Sequence, residues 1–250
     1  MTREELNNCC NLSDDFRDSL NEIINENLKN EEASGLFQNF TSFTPRAQLS
    51  RFLVRNELFK LTSNIQGAIV ECGVHTGFGM LSWFHLKSIY TPLDSQKTII
   101  GFDTFEGFPD LSEKDINPIL ERKKGDISYD SFKMLEKVLA LHSSNHYLSA
   151  FAKNYKLVKG DACITIPEFL NKYKHTLCSL LYLDFDLYEP TLVAIKNLLP
   201  RMSKGSIIAF DEVNCPAWPG ETLALLDTLN LNQYSLKKFS FDTKISYIVI

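Results

Sequence analysis

Four carboxylates in two short stretches carry most of the chemical information in this chain. Asp184-Phe185-Asp186 closes one apolar run, and Asp211-Glu212 closes another. Ligands of doubly wound sheets bind outside the carboxyl ends of the strands, so two neighbouring strands ending this way bring all four acids to one crevice. Held together without a cation, they would repel. Hard oxygen donors of this kind suit magnesium, manganese or calcium. Zinc is not expected, because no set of Cys and His residues has the spacing it needs. The competing reading makes Asp211 and Glu212 the start of a loop and pairs Asp184 and Asp186 with Lys or Arg from elsewhere. Two acid pairs at equivalent strand ends favour the metal site.

A second candidate site lies at Val70-Glu71-Cys72-Gly73-Val74-His75-Thr76-Gly77-Phe78-Gly79, between an apolar run and a helical stretch. Glycines there let the backbone approach a ligand and aim helix N–H groups at it. As E-x-G-x-x-x-G, with Glu71, Gly73 and Gly77, this is the acid-led loop of S-adenosylmethionine enzymes. As G-x-x-x-G-x-G it matches short-chain dehydrogenases, whose Tyr-x-x-x-Lys pair has two poorly placed counterparts, Tyr129 with Lys133 and Tyr234 with Lys238. Two further strand-end acids favour a nucleoside-containing ligand. Asp103, 32 residues after Glu71, is positioned to accept bonds from both ribose hydroxyls, and Asp161 falls where an adenine would lie. Each taken alone reads equally as a turn residue or helix cap. His75 either touches the cofactor carboxylate or is exposed. His142 and His146 have helical zinc spacing, but Ser-Ser-Asn between them breaks the helix and predicts a loop.

These residues need a parallel sheet to position them. Short apolar runs at Ala68–Val70, Thr98–Ile100, Leu157–Val158, Leu180–Leu183 and Ser206–Phe210 are separated by long crossovers. That pattern predicts a sheet covered on both faces. Two closely spaced runs, Ser235–Phe241 and Ile245–Ile250, predict an antiparallel hairpin near one edge. The first sixty residues read as helical. Ser13 caps a helix carrying Phe16, Leu20, Ile23, Ile24 and Leu28, and Thr44-Pro45 opens another that runs to about Leu61, with Glu31 to Ser42 as a linker. Arg46, Arg51 and Arg55 on that second helix read as a solvated face, with contact of one of them to an anionic substrate as the alternative. The connection at about 104–155 is abnormally long and includes a helix from Ser131 to about Leu141. Loops of this length serve as functional covers or are disordered, and a lid is favoured here. The chain thus divides into an N-terminal helical region, 1–62, and a cofactor-binding domain, 63–250.

Composition narrows the partners. The 250 residues are 44% hydrophobic and 23% charged, with a net charge of -5. Residues 1–32 hold nine acids and three bases, and the rest are nearly balanced at 22 acids and 23 bases. A neutral body argues against nucleic acid as the main partner. No apolar run reaches the ~18 residues of a membrane span and no signal peptide is visible, so a cytoplasmic location without membrane insertion is expected. The six cysteines form no C-x-x-C pair and read as free, mostly buried thiols. The apolar N-terminal helix needs a partner surface, which a second copy of the chain could supply.

With both sites located, the sequence resembles the macrocin O-methyltransferase family of metal-dependent sugar methyltransferases. The resemblance rests on Thr44-Pro45-Arg46, Arg55-Asn56-Glu57-Leu58-Phe59-Lys60, Ile69-Val70-Glu71-Cys72-Gly73-Val74, Gly101-Phe102-Asp103-Thr104-Phe105-Glu106-Gly107-Phe108-Pro109, Asp184-Phe185-Asp186-Leu187-Tyr188-Glu189-Pro190-Thr191 and Trp218-Pro219-Gly220-Glu221. It implies an α/β class I methyltransferase fold, Rossmann-like and doubly wound, with strand order 3-2-1-4-5-7-6. It implies S-adenosyl-L-methionine as cofactor and a Mg2+-type ion held by Asp184, Asp211 and Glu212. Asp186 is then the general base, with Asp184 as the alternative for that role. Pro190 stands where the family commonly has serine, and Glu212 where many members have aspartate. The expected acceptor is a sugar or glycoside hydroxyl. A catechol-type methyltransferase and, further off, a short-chain NAD(P)-dependent reductase are the alternatives.

Overall fold

The computed structural model describes residues 18–25, 33–144 and 154–250. The chain forms two compact units, Met1–Arg51 and Phe52–Ile250. In the first, residues 18–25 are helical, and short helices at Ala33–Gln38 and Phe40–Phe43 occupy most of the stretch expected to be a linker. Thr44 Oγ1, just past the second of these helices, donates back to the Phe40 carbonyl at 2.7 Å. Ser13, Phe16 and Leu28 of the expected first helix lie outside the described residues.

Helix α1 (Arg46–Thr62) follows Pro45, as the proline at its start predicts. Its buried side chains Val54, Arg55, Leu58 and Phe59 belong to the second unit, so that unit's core begins earlier in the chain than residue 63. Arg55 is 2% exposed, which corrects the expectation that it sits on a solvated face.

The second unit is a seven-stranded sheet of order β3-β2-β1-β4-β5-β7-β6. Strands β1 (Ala68–Cys72), β2 (Ile99–Asp103), β3 (Tyr155–Lys159), β4 (Cys178–Leu183) and β5 (Met202–Phe210) are parallel. Strands β6 (Lys237–Phe239) and β7 (Asp242–Val249) form the expected antiparallel hairpin, with β7 paired to β5. Alternate residues serve opposite faces, as strand geometry demands. Val70, Cys72, Phe102, Leu181, Leu183, Ile208 and Phe210 pack with α4 (Ala162–Lys172), α5 (Tyr188–Leu198) and α6 (Pro219–Thr228). Ile69, Ile99, Leu180, Tyr182, Ile207 and Ala209 pack with α1, α2 (Phe78–Tyr90) and α3 (Phe132–Ser144). Burial on both faces explains why these strands read as continuous apolar runs.

The long connection after β2 is ordered over 104–131. Phe108 N donates to the Asp126 carbonyl and accepts through its own carbonyl from Gly125 N, at 3.0 and 2.9 Å, which closes the loop on itself. Gly107 is required at this neck, since a Cβ there would lie 2.5 Å from the Gly125 oxygen. His142 lies on α3, and His146 lies outside the described residues. Cys72 and Cys178 are buried, Cys163 and Cys215 partly so, and all four are free; Cys9 and Cys10 lie outside the described residues. Among the described residues no helix is long and apolar enough to cross a membrane.

Candidate active site

The carboxyl edge of β1 turns sharply into α2. Gly73 adopts φ +95°, and a Cβ at this position would meet the Asp184 carbonyl at 2.0 Å. Asp184 N in turn donates to the Cys72 carbonyl at 2.8 Å, so the glycine loop and the acid loop after β4 touch through their backbones. Gly77, at φ +90°, precedes the first residue of α2 and leaves room for Leu135 of α3. Asp103 organises the loop from the end of β2: its Oδ2 accepts from Val74 N and His75 N, both at 2.8 Å, and its Oδ1 accepts from Phe105 N at 2.6 Å. His75 is exposed, at φ 49°, and its carbonyl accepts from the Ser131 hydroxyl at the start of α3. Asp161 is the N-cap of α4, accepting from Cys163 N at 2.8 Å.

Glu71, the leading acid of the loop, is sealed below it at 1% exposure. Its Oε1 lies 3.6 Å from Arg55 Nη2. The same oxygen is so close to α2 that a Cβ on Gly79 would fall 1.6 Å away, which explains the second glycine of Gly77-Phe78-Gly79. Burial pushes the Glu71 carboxyl up to about 7, against the opposing pull of Arg55. Arg55 itself lies over the Tyr182 ring at 4.4 Å, with Phe78 and Trp83 at 5.1 and 5.7 Å. Burial works against its charge, and Tyr182, Glu71, Asp184 and Asp211 together outweigh that penalty. The signal for this buried arginine was present in the sequence: Arg55, Leu58, Phe59 and Thr62 have the i, i+3, i+4, i+7 spacing of a core-facing stripe.

The acids of the second candidate site lie at the same edge of the sheet, near enough to feel one another's charge. Asp211 is buried and its Oδ1 accepts from the Tyr182 hydroxyl at 2.8 Å. Glu212 is also buried, and its Oε1 accepts from Lys244 Nζ at 3.1 Å. Asp186 holds a left-handed backbone at φ 63°, an unusual conformation for a residue with a Cβ. Desolvation first, then Glu212 and Asp211, push its carboxyl up to about 8, while Arg122 and Lys244 pull it down. Glu212 is shifted upward by burial and by Asp211. A fifth acid, Glu221 of α6, is fully buried: its Oε2 accepts from Glu212 N at 3.1 Å, and its Oε1 has no partner. Burial and the charges of Asp186, Asp184 and Asp211 raise it well above the usual carboxylate range. The sequence offered Glu221 only as part of Trp218-Pro219-Gly220-Glu221, because an acid in the first turn of a helix ordinarily faces solvent.

A hard divalent cation suits this donor set in kind. Buried oxygens that raise one another's pKa, one of them without any partner, are the arrangement a positive charge would relieve. As the side chains stand, no three His, Cys, Asp or Glu residues among those described are grouped around one metal position. Lys244 on Glu212 supplies positive charge at one edge.

The loop after β2 flanks this cluster. Asp115 is buried; its Oδ2 accepts from Ser112 N and Oγ, and its Oδ1 accepts from Tyr188 N, in the first turn of α5, at 2.6 Å. Gly220 is needed for that approach, since a Cβ would lie 2.4 Å from Asp115 Oδ1. Asn117 Nδ2 donates to the Ala217 carbonyl at 2.9 Å, and Lys114 pairs with Asp227 of α6.

Comparison with known proteins is consistent with this geometry. Residues 46–227 match the sequence profile of the macrocin-O-methyltransferase family, TylF. No protein with a curated description matches significantly. A solved structure of CalS11, calicheamicin methyltransferase, is 30% identical over 92% of this chain and 91% of that one, with a TM-score of 0.85. An apo structure of CalS11, titled a TDP-rhamnose 3'-O-methyltransferase, is 28% identical over 92% and 93%, with a TM-score of 0.77. The O-methyltransferase NovP, 19% identical over 80% and 78% with a TM-score of 0.60, shares the fold.

Proposed function

Because the chain belongs to the macrocin O-methyltransferase family and is an S-adenosylmethionine-dependent O-methyltransferase, we propose that it methylates a hydroxyl of a sugar or glycoside with the help of a divalent cation. The observation that carries the proposal is the contact between the two loops. With Gly73 packed on the Asp184 backbone, a methyl donor on the glycine loop and an acceptor at the acids would be neighbours. CalS11, titled a TDP-rhamnose methyltransferase, supports a sugar acceptor.

In this reading Gly73 and Gly77 admit the donor to the backbone, and Asp103 sets the loop against which its ribose lies. Glu71 contributes from beneath, holding the start of α2 rather than touching solvent. Asp161 borders the adenine through the helix end it caps. Asp186 takes the acceptor hydroxyl proton as the oxygen bonds to the methyl carbon; the carbon–sulfur bond breaks and its electron pair stays on sulfur. Asp184, Asp211 and Glu212 would hold the cation, with Asp184 the alternative base. A bound divalent ion lowers the pKa of hydroxyl oxygens that it touches. The closed loop between Gly107 and Asp126 and the helix α3 exclude water from the transfer.

The test is a methyl-transfer screen over neutral glycosides, sugar phosphates and nucleotide sugars, run with magnesium and with chelator. Magnesium-dependent transfer to a sugar is the expected result. Transfer to planar diols alone would replace the sugar acceptor with a catechol-type one, and undiminished transfer in chelator would remove the cation.

A further inference from the structure

Beside the acid cluster, Arg122 makes no hydrogen bond or ion pair among the described residues. Arg122 belongs to the closed loop after β2, and its guanidinium carbon lies 4.4 Å from the centre of the Trp218 ring. Trp218 is itself wedged edge-on against Phe108 at 5.9 Å, so the platform beneath the guanidinium is rigid. The loop is pinned just before the arginine. Asn117 Oδ1 accepts from Ile119 N and Leu120 N at 3.0 and 2.9 Å, while its amide donates to Ala217, the neighbour of Trp218. Arg122 Nε is buried and has no hydrogen-bond partner. Lys244 is paired with Glu212, Arg55 with Glu71, Lys114 with Asp227 and Lys124 with Asp110. The Arg122 charge reaches Asp186 and pulls its carboxyl down, yet the two form no ion pair among the described residues.

A buried donor that finds nothing in the protein costs free energy, and a stacked guanidinium keeps its N–H edge available while its face is occupied. Both features belong to a group that waits for an oxyanion. Neutral glycosides offer none. A sugar carried on a diphosphate has its charged phosphoryl oxygens just beyond one bridging oxygen from the ring, where a side chain that borders the proposed base can meet them. We propose that Arg122, stacked on Trp218, is an oxyanion subsite that selects acceptors whose sugar bears a diphosphate ester. This rests on the sugar-methylation reading above and names the acceptor class within it.

Isothermal titration with UDP, dTDP, farnesyl diphosphate and methyl α-glucoside, on the wild type and on Arg122→Met and Arg122→Lys, tests the subsite without requiring turnover. S-adenosylmethionine affinity serves as the check that each variant is folded. Arg122→Met should weaken diphosphate binding roughly tenfold to a hundredfold and leave the methyl donor unaffected, with Arg122→Lys in between, because lysine restores the charge without the two-pronged geometry. Preference for UDP or dTDP over farnesyl diphosphate would assign a nucleotide sugar, and the reverse a lipid-linked one. Equal diphosphate affinity in wild type and Arg122→Met, or no diphosphate binding by the wild type, overturns the subsite. If diphosphate binding depends on Arg122 while no sugar of any class is methylated, the subsite stands and the sugar-methylation reading falls.

Discussion

At the scale of single residues, two carboxyl groups with raised pKa values do different work. Asp186 owes its shift to burial and to Glu212 and Asp211, which is the environment of a group that accepts a proton near neutral pH. Asp186→Asn keeps the shape and removes the base, so turnover should fall by roughly 10² to 10⁴ while calorimetry finds donor affinity unchanged. Equal loss of donor binding would move Asp186 from the chemistry to the scaffold. Glu71 is raised from 4.5 to about 7 chiefly by burial. The folded protein therefore holds this proton more tightly than the unfolded chain does. The stabilisation is complete below pH 4.5 and is lost as pH rises through about 7. Glu71→Gln should flatten that part of the melting-temperature profile. Arg55→Met leaves Glu71 without its counter-charge. Its destabilisation, on the order of 3 kcal/mol at pH 8, should shrink at pH 5, where Glu71 is neutral in either protein. A penalty independent of pH would show that Arg55 matters only through its packing on Tyr182 and Trp83.

At the scale of elements, the loop after β2 is a built component with its own internal bonding. Its neck at Phe108 and Gly125, the turn at Glu113–Asp115 and the anchor at Asn117 tie it to the N-terminal ends of α5 and α6. Asp115 is the keystone, since one carboxylate both closes the turn and caps α5. Asp115→Ala should cost about 1 to 3 kcal/mol through the stranded Tyr188 N–H. It should also expose Arg122, Lys123 and Lys124 to trypsin, visible as faster cleavage at those bonds in limited proteolysis. Cleavage no faster than in the wild type would mean that the Lys114 and Asn117 contacts hold the loop without it.

At the scale of the molecule, the proposed donor site and the acid cluster occupy one edge of the sheet but draw on different strands. The glycine loop and Asp103 belong to β1 and β2, while Asp211 and Glu212 follow β5. Ligands should therefore act separately. S-adenosylmethionine and its demethylated product should raise the melting temperature, by about 2.7 kcal/mol of stabilisation at a hundredfold excess over Kd, whereas NAD and NADP should not. Chelation should abolish methyl transfer, magnesium should restore it, and the donor-induced shift in melting temperature should survive chelator. Loss of that shift in chelator would mean that donor and cation share a site.

The apolar runs and the glycine spacing were enough to specify a parallel sheet with a closing hairpin, because strand periodicity and topology place strand ends at a common edge whatever the side chains do there. The acid pairs marked Asp184, Asp186, Asp211 and Glu212 at that edge, yet no three acids among the described residues gather around one metal position. Local composition was a poorer guide at Ala33–Gln38 and Phe40–Phe43, where helices replace the expected linker. Burial of charge was decided largely by tertiary packing. Glu221 looks like a solvated residue in the sequence and Glu71 like a cofactor ligand, while the stripe spacing of Arg55 is a local sign of its burial; each is inside because another element supplies its partner or its neighbour: Tyr182 and Glu71 for Arg55, Gly79 and Arg55 for Glu71, and the Glu212 backbone for Glu221. The position of Arg122 against Trp218 was equally hidden, since it depends on where a closed loop of some twenty residues lands, and loop closure is governed by a few long-range contacts that no local pattern records.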